Sequence, residues 1–212
     1  MQWTLVIPLK PLARAKSRLS DTAADGLRPA LALAFAQDTV AAALASAAVR
    51  DVAVVTDDDL AARELAALGA RIVPDEPGDG LNAALAHGAA IVRRSRPESA
   101  VAALNADLPA LRPLELARVL DSAAQFPRAF LPDAAAIGTT LLTAAPGREL
   151  HPEFGPDSRT RHRASGAAEL PHTDVDSVRQ DVDTGNDLRA ALALGVGPRT
   201  AEVTAQLLIA GL

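Results

Sequence analysis

"AVAALNADLP", residues 100–109, starts as an unbroken apolar run and ends in an amide, a carboxylate and a proline. A short apolar run without polar alternation fits a strand buried on both faces, not a half-exposed one. Its polar tail then falls where the strand leaves the sheet, which places Asp107 just past the carboxyl end. The same grammar recurs upstream. "WTLVIPL" at the start, "DVAVVT" (51–56) and "ARIVP" (70–74) read as further strands, each followed by polar residues. Helical stretches separate them, at about 27–46, 60–68, 80–94 and 114–124, the last with Pro113 suited to its first turn.

Apolar strands alternating with helices indicate a parallel sheet covered on both faces. In such sheets ligands bind beyond the carboxyl ends of the strands, near the point where strand order reverses. Attention therefore falls on residues 10–18, 56–59, 75–82 and 105–109. Further along, "RAFLPD" and "TTLLTA" are expected as two more strands. The segment 146–167 is rich in proline, glycine and charge, like a functional loop or insertion. Residues 177–195 read as strand, turn and helix, with Thr184 as N-cap, Asp187 at the third helical position and Gly195 as C-cap. A length of 212 residues suits one domain, 1–212.

Composition narrows the function. The chain has no cysteine, which excludes disulfides, thiolate metal sites and cysteine nucleophiles. A net charge of −5 with 2% aromatics argues against nucleic-acid binding. The stretch 31–49 is apolar but carries Gln37 and Asp38 near its middle, which suits a buried helix better than a membrane span. No signal peptide is visible, so a cytoplasmic location is the default expectation. Neither a dinucleotide fingerprint nor a P-loop is present. Four histidines without metal-ligand spacing, and no G-x-S-x-G, speak against zinc or serine hydrolase chemistry.

What remains is charge at strand ends. Lys10 and Lys16 are the only lysines of a chain with nineteen arginines, and with Arg14 and Arg18 they crowd the loop after strand one. A lysine ammonium can follow a phosphate through a displacement, whereas the guanidinium fork is fixed. "QDVDT" sets Asp181 and Asp183 two apart, on one face if extended. With Asp107 they could hold one or two magnesium ions, a hard metal that shares its coordination with phosphates. "GDGLN" (78–82) feeds a helix N-terminus, and "FGPDSRTRH" (154–162) offers Ser158, Arg159, Arg161 and His162 to a second anionic group. Each motif has a plain reading beside this one: a solvated basic loop, a turn aspartate, an ordinary loop-to-helix junction.

Taken in order, "VIPLKPLARAKSRL", "VVTDD", "GLNAAL", "NADLPAL", "GTTLL", "FGPDSRTRH" and "VDTGNDL" span nearly the whole chain. Together they resemble the 2-phospho-L-lactate or phosphoenolpyruvate guanylyltransferases of coenzyme F-420 biosynthesis. The resemblance implies an α/β Rossmann-like three-layer sandwich of nucleotidyltransferase (glycosyltransferase-A-like) type, mostly parallel, with helices on both faces. It implies that Lys10, Lys16 and Arg18 meet GTP phosphates, that Gly80 and Asn82 hold the nucleoside, and that Asp57 lies near the base. Asp107, Asp181 and Asp183 would bind magnesium, with Lys10, Lys16 and Asp107 catalytic. Thr140, Gly155 and Ser158 would hold the acceptor, making 146–167 the acceptor-binding segment. The implied reaction moves GMP from GTP to the acceptor phosphate and releases diphosphate, the product passing to the next enzyme of the pathway. Neither nucleic acid nor membrane is implied, and oligomeric state stays open, a homodimer included. No residue visibly chooses between the two acceptors; the arginine-rich composition tips the choice to phosphoenolpyruvate by association alone. A metal-dependent sugar-nucleotide glycosyltransferase using Asp181 and Asp183, or a non-catalytic nucleotide-binding subunit, stands as the alternative on the same fold.

Overall fold

The computed structural model describes residues 1–14 and 27–209. In chain order its elements are β1 (Trp3–Pro8), α1 (Arg28–Leu44), β2 (Val49–Val55), α2 (Asp59–Ala67), β3 (Arg71–Val73), α3 (Leu81–Ser95), β4 (Ala100–Leu104) and α4 (Pro113–Ala123). There follow β5 (Arg128–Pro132), β6 (Thr139–Ala144), α5 (Ser158–Ala164), β7 (Ala168–Glu169), α6 (Asp176–Arg179), α7 (Gly185–Leu194) and α8 (Pro198–Ile209). The described strands form one sheet in the order β3-β2-β1-β4-β6-β5-β7. β3, β2, β1 and β4 run parallel, and β6 is antiparallel to both β4 and β5.

This order places the switch point between β1 and β4, because the chain moves outward from β1 to β3 on one side and returns to β4 on the other. The reversed strand matters for the same reason. Since β6 alone opposes its neighbours, its first residues, Thr139 and Thr140, lie at the sheet edge where β1 and β4 end.

The faces of the sheet separate by strand parity. Trp3, Leu5 and Ile7 of β1 pack with Ala36 and Val40 of α1, Leu65 of α2 and Leu116 and Leu120 of α4. Val6 and Val55 face the other way, toward Ala84, Leu85 and Val92 of α3. The three layers follow from this alternation. α3 sits so close to the sheet that a Cβ on Gly88 would stand 2.6 Å from a Val6 methyl and 2.7 Å from a Val55 methyl. An outer apolar cluster joins Leu31 and Phe35 of α1 to Val182, Leu188 and Ala191.

The mid-helix charge of α1 has a structural task. Asp38 is 5% exposed and accepts hydrogen bonds from the Arg199 and Thr200 amides, so it caps the start of α8 from within α1. No helix among the described residues is long and apolar enough to cross a membrane. Thr184 and Asp187 form a reciprocal capping box at the start of α7, with Gly195 following its end.

Two expectations are corrected. The segment before the capping box is not a strand: Asp176–Arg179 is a short helix, and Gln180 to Asp183 is irregular and lies outside the sheet. The place beside β4 is filled by β6, and this segment meets the exit of β4 through the Val182 amide, which donates to the Asp107 carbonyl at 3.0 Å. The loop 146–167 also contains α5, a helix whose inner face is buried through Ser158 and His162.

Candidate active site

A cavity of about 610 Å³ opens at the carboxyl ends of β1 and β4, a volume suited to a small-molecule ligand. Lys10 reaches it from the loop after β1, and Asn105 and Asp107 from the loop after β4. Asp181 and Asp183 come from the irregular segment before α7; Gly138 and Thr139 come from the start of β6. Gly155 and Ser158 close it from the segment leading into α5. One site thus collects residues from five separate stretches, all at one edge of the sheet.

Local hydrogen bonds explain why each stretch lies there. Asp58 accepts the Leu12 amide at 2.9 Å and caps α2 through the Leu60 and Ala61 amides, so it holds the loop bearing Lys10 against α2. Burial works to raise the Asp58 pKa, but the three amides outweigh it and hold the carboxyl below its usual value. Asn105 donates from its side chain to Asp181 Oδ2 at 3.3 Å, and its amide donates to the Thr140 carbonyl at 3.0 Å. That single asparagine ties the Asp107 loop, the start of β6 and Asp181 together. Asp133, also on the cavity wall, accepts from the Ile137 and Gly138 amides and shapes the turn before β6.

Other expected residues sit apart from the wall. Asp57 accepts the Asp75 amide at 2.9 Å, bridging the loops after β2 and β3. Gly80 precedes α3 with φ +87°, a conformation that favours glycine, and Leu81 beside it reaches the cavity. Asn82 uses both ends of its amide on one residue: Nδ2 donates to the Phe154 carbonyl at 3.1 Å, and Oδ1 accepts the Phe154 amide at 2.8 Å. It therefore clips the 146–167 segment to the start of α3. Thr140 is fully buried behind the wall, and its Oγ1 has no hydrogen-bond partner among the described residues. Lys16 and Arg18 lie outside the described residues.

The acceptor segment differs from its expected role as a set of open donors. Arg159 is paired with Glu169 and with the Ala136 carbonyl. His162 has no exposed surface; it packs against the rings of Phe130 and Phe154. Its Nε2 accepts the Glu153 amide at 2.9 Å, and its Nδ1 lies 2.9 Å from Thr139 Oγ1. Burial first, then the Arg128 and Arg161 charges, push its pKa down to about 4. The sequence hid Thr139 and Asn105 in plain view, inside "GTT" and "NADLP", because nothing in either motif says which member faces the cavity.

Among the described residues no three carboxylates or histidines stand close enough to chelate a metal by themselves. The donors at the cavity are nonetheless oxygen donors, Asp107, Asp181 and Asp183, which fit a hard divalent cation whose remaining ligands come from phosphates.

The model of the family described as "Guanylyl transferase CofC like" matches residues 3–209. The chain belongs to this family. A phosphoenolpyruvate guanylyltransferase of Streptomyces avermitilis is 81% identical, the match covering 100% of this chain and 98% of that one. The Streptomyces coelicolor protein of the same name is also 81% identical, with both chains fully covered. The chain is accordingly an enzyme of the nucleotidyltransferase class.

Solved structures agree on the fold. A Desulfovibrio desulfuricans protein classed with nucleotide-diphospho-sugar transferases superposes with TM-score 0.70 at 16% identity, covering 98% of this chain and 97% of its own. CMP:2-keto-3-deoxy-manno-octonic acid synthetase, solved with CTP, gives TM-score 0.59 at 18% identity over 92% of this chain and 98% of its own. The Rv0371C protein of Mycobacterium tuberculosis, solved with manganese, gives 0.53 at 20% identity over 91% and 99%.

Proposed function

We propose that this chain transfers the guanylyl group of GTP to the phosphate of phosphoenolpyruvate, releases diphosphate and yields enolpyruvoyl-2-diphospho-5'-guanosine. The observation that carries this reading is the meeting of Lys10, Asp107, Asp181, Asp183, Gly155 and Ser158 around one cavity at the switch point, in a family of guanylyl transferases. The acceptor is read from relatives 81% identical, which are named for phosphoenolpyruvate.

An acceptor phosphate oxygen attacks the α-phosphorus of GTP; a P–O bond forms there as the bond to the β-phosphate oxygen breaks. The acceptor phosphate is ionised near neutral pH and needs no general base, so the reaction asks for no activated nucleophile on the protein. Catalysis is then alignment and charge neutralisation. Lys10 neutralises the triphosphate, joined by Lys16 and Arg18 six and eight residues further along the chain. Gly80, Asn82 and Asp57 order the turns around the nucleoside. Gly155 and Ser158 hold the acceptor, with Thr140 supporting them from behind the wall, so 146–167 is the acceptor-binding part of a single domain. Asp107, Asp181 and Asp183 would share magnesium with the substrate phosphates, and the bound ion would neutralise phosphate charge. The enzyme works in the cytoplasm and hands its product to the following step of coenzyme F-420 assembly.

The reaction is tested by incubating the protein with GTP, magnesium and phosphoenolpyruvate and following phosphorus NMR. A new mixed-diphosphate pair of resonances together with free diphosphate supports the proposal. Product formed only with 2-phospho-L-lactate would replace the acceptor.

A further inference from the structure

The buried histidine of α5 performs no step in the proposed reaction, yet it hydrogen-bonds Thr139, a residue of the cavity wall. A backbone N–H can only donate, so the Glu153 amide at 2.9 Å requires an unprotonated Nε2 on His162. The ring has no exposed surface, and its environment holds it neutral. A neutral imidazole with a bare Nε2 carries its proton on Nδ1. That N–H has one partner, Thr139 Oγ1 at 2.9 Å, so the threonine oxygen is the acceptor in this pair. The threonine's own proton must then point elsewhere, and the hydroxyl makes no other hydrogen bond among the described residues. Thr139 lines the cavity beside Gly138 and Ser158, in the part closed by Gly155.

We propose that Thr139 is a pre-set hydrogen-bond donor to an anionic oxygen of the acceptor substrate, and that His162 is the positioning residue that fixes it in that role. The chain of donors runs from the Glu153 amide to the imidazole, from Nδ1–H to Thr139 Oγ1, and from the hydroxyl into the cavity. Each bond polarises the next, so the last donor is strengthened by the first two. A threonine left alone could turn its hydroxyl either way. With one lone pair of Thr139 Oγ1 taken by Nδ1–H, the hydroxyl proton is turned away from His162, which favours an ionised acceptor over a neutral one. The Phe130 and Phe154 rings hold the imidazole in this orientation. The arrangement also joins acceptor binding to the segment itself, since the first donor belongs to Glu153, one residue before the Phe154 that Asn82 clips to α3.

This assignment rests on the acceptor chemistry proposed above. The test is the KM for phosphoenolpyruvate at saturating GTP in Thr139→Val, which keeps the shape, and Thr139→Ser, which keeps the hydroxyl. Loss of one hydrogen bond to a charged group is expected to raise KM roughly ten- to hundredfold in the valine variant. The serine variant should stay near wild type, and the KM for GTP should not move in either. An unchanged KM in Thr139→Val, or an equal rise in Thr139→Ser, overturns the donor role. Nitrogen NMR of the wild-type His162 ring reads the relay without any substrate: a proton on Nδ1 supports it, and a proton on Nε2 refutes it. A wild-type enzyme inactive on both acceptors would refute the reaction and take this assignment with it. An active wild type with an indifferent Thr139→Val refutes the assignment alone.

Discussion

Acid should weaken this fold through His162, by an amount the structure sets. The ring is fully buried, its Nε2 is occupied by the Glu153 amide, and the Arg128 and Arg161 guanidinium groups oppose a further positive charge. Its folded pKa stands at about 4 against 6.5 for an open chain. The folded value is depressed, so between these two values the unfolded chain binds the extra proton and the native state does not. The stabilisation is therefore whole above about pH 6.5 and falls by about 1.4 kcal/mol per pH unit below it, levelling near pH 4. The full loss is about 3 kcal/mol, a large share of an ordinary domain's stability. Urea unfolding of the wild type and His162→Gln across this range isolates the term, since the carboxylates are common to both chains. The variant should start less stable and lose less on acidification, so that the two curves converge. Curves that remain parallel from about pH 7 to about pH 4.5 would show that His162 titrates normally in the folded state, and the buried neutral imidazole would have to be abandoned.

Gly88→Ala places a methyl group 2.6 Å from Val6, so α3 must lift from the sheet; urea midpoints should report a loss of about 1–3 kcal/mol. Asp58→Ala removes the α2 cap and the anchor of the Leu12 amide together. Denaturation should show a loss of about 1 kcal/mol, and steady-state kinetics a raised KM for GTP with the acceptor KM unmoved. Because the Asp58 pKa is lowered, its share of stability is present above its usual value of 3.8 and disappears only as pH falls through the folded value below that.

The parallel half of the sheet was legible because buried strands leave unbroken apolar runs, and "AVAALNADLP" shows both the strand and its exit. The capping box at Thr184 was legible for a similar reason, since its chemistry is local. Strand direction was not. Nothing in "TTLLTA" announces that β6 runs against its neighbours, yet that reversal is what carries Thr139 to the cavity. The segment at Asp181 alternates in burial like a strand, with Val182 buried and Asp183 exposed, but lacks a sheet position to occupy. Polar residues were the least decipherable. In "VVTDD" the sequence favoured Asp57, whereas the neighbouring Asp58 anchors the loop of Lys10. In "FGPDSRTRH" the donors looked open, but Arg159 is matched by Glu169 and His162 is turned inward. Type and spacing identify such residues; the partner that occupies each is decided by tertiary contacts.

The central claim is that carboxylates at the switch point serve guanylyl transfer to a phosphorylated acceptor. It is tested most directly by measuring diphosphate released from GTP, magnesium and phosphoenolpyruvate by the wild type and by Asp107→Asn side by side. The account predicts acceptor-dependent release by the wild type and its loss in the folded variant. Undiminished release by Asp107→Asn, or none from the wild type with any phosphorylated acceptor, would contradict it.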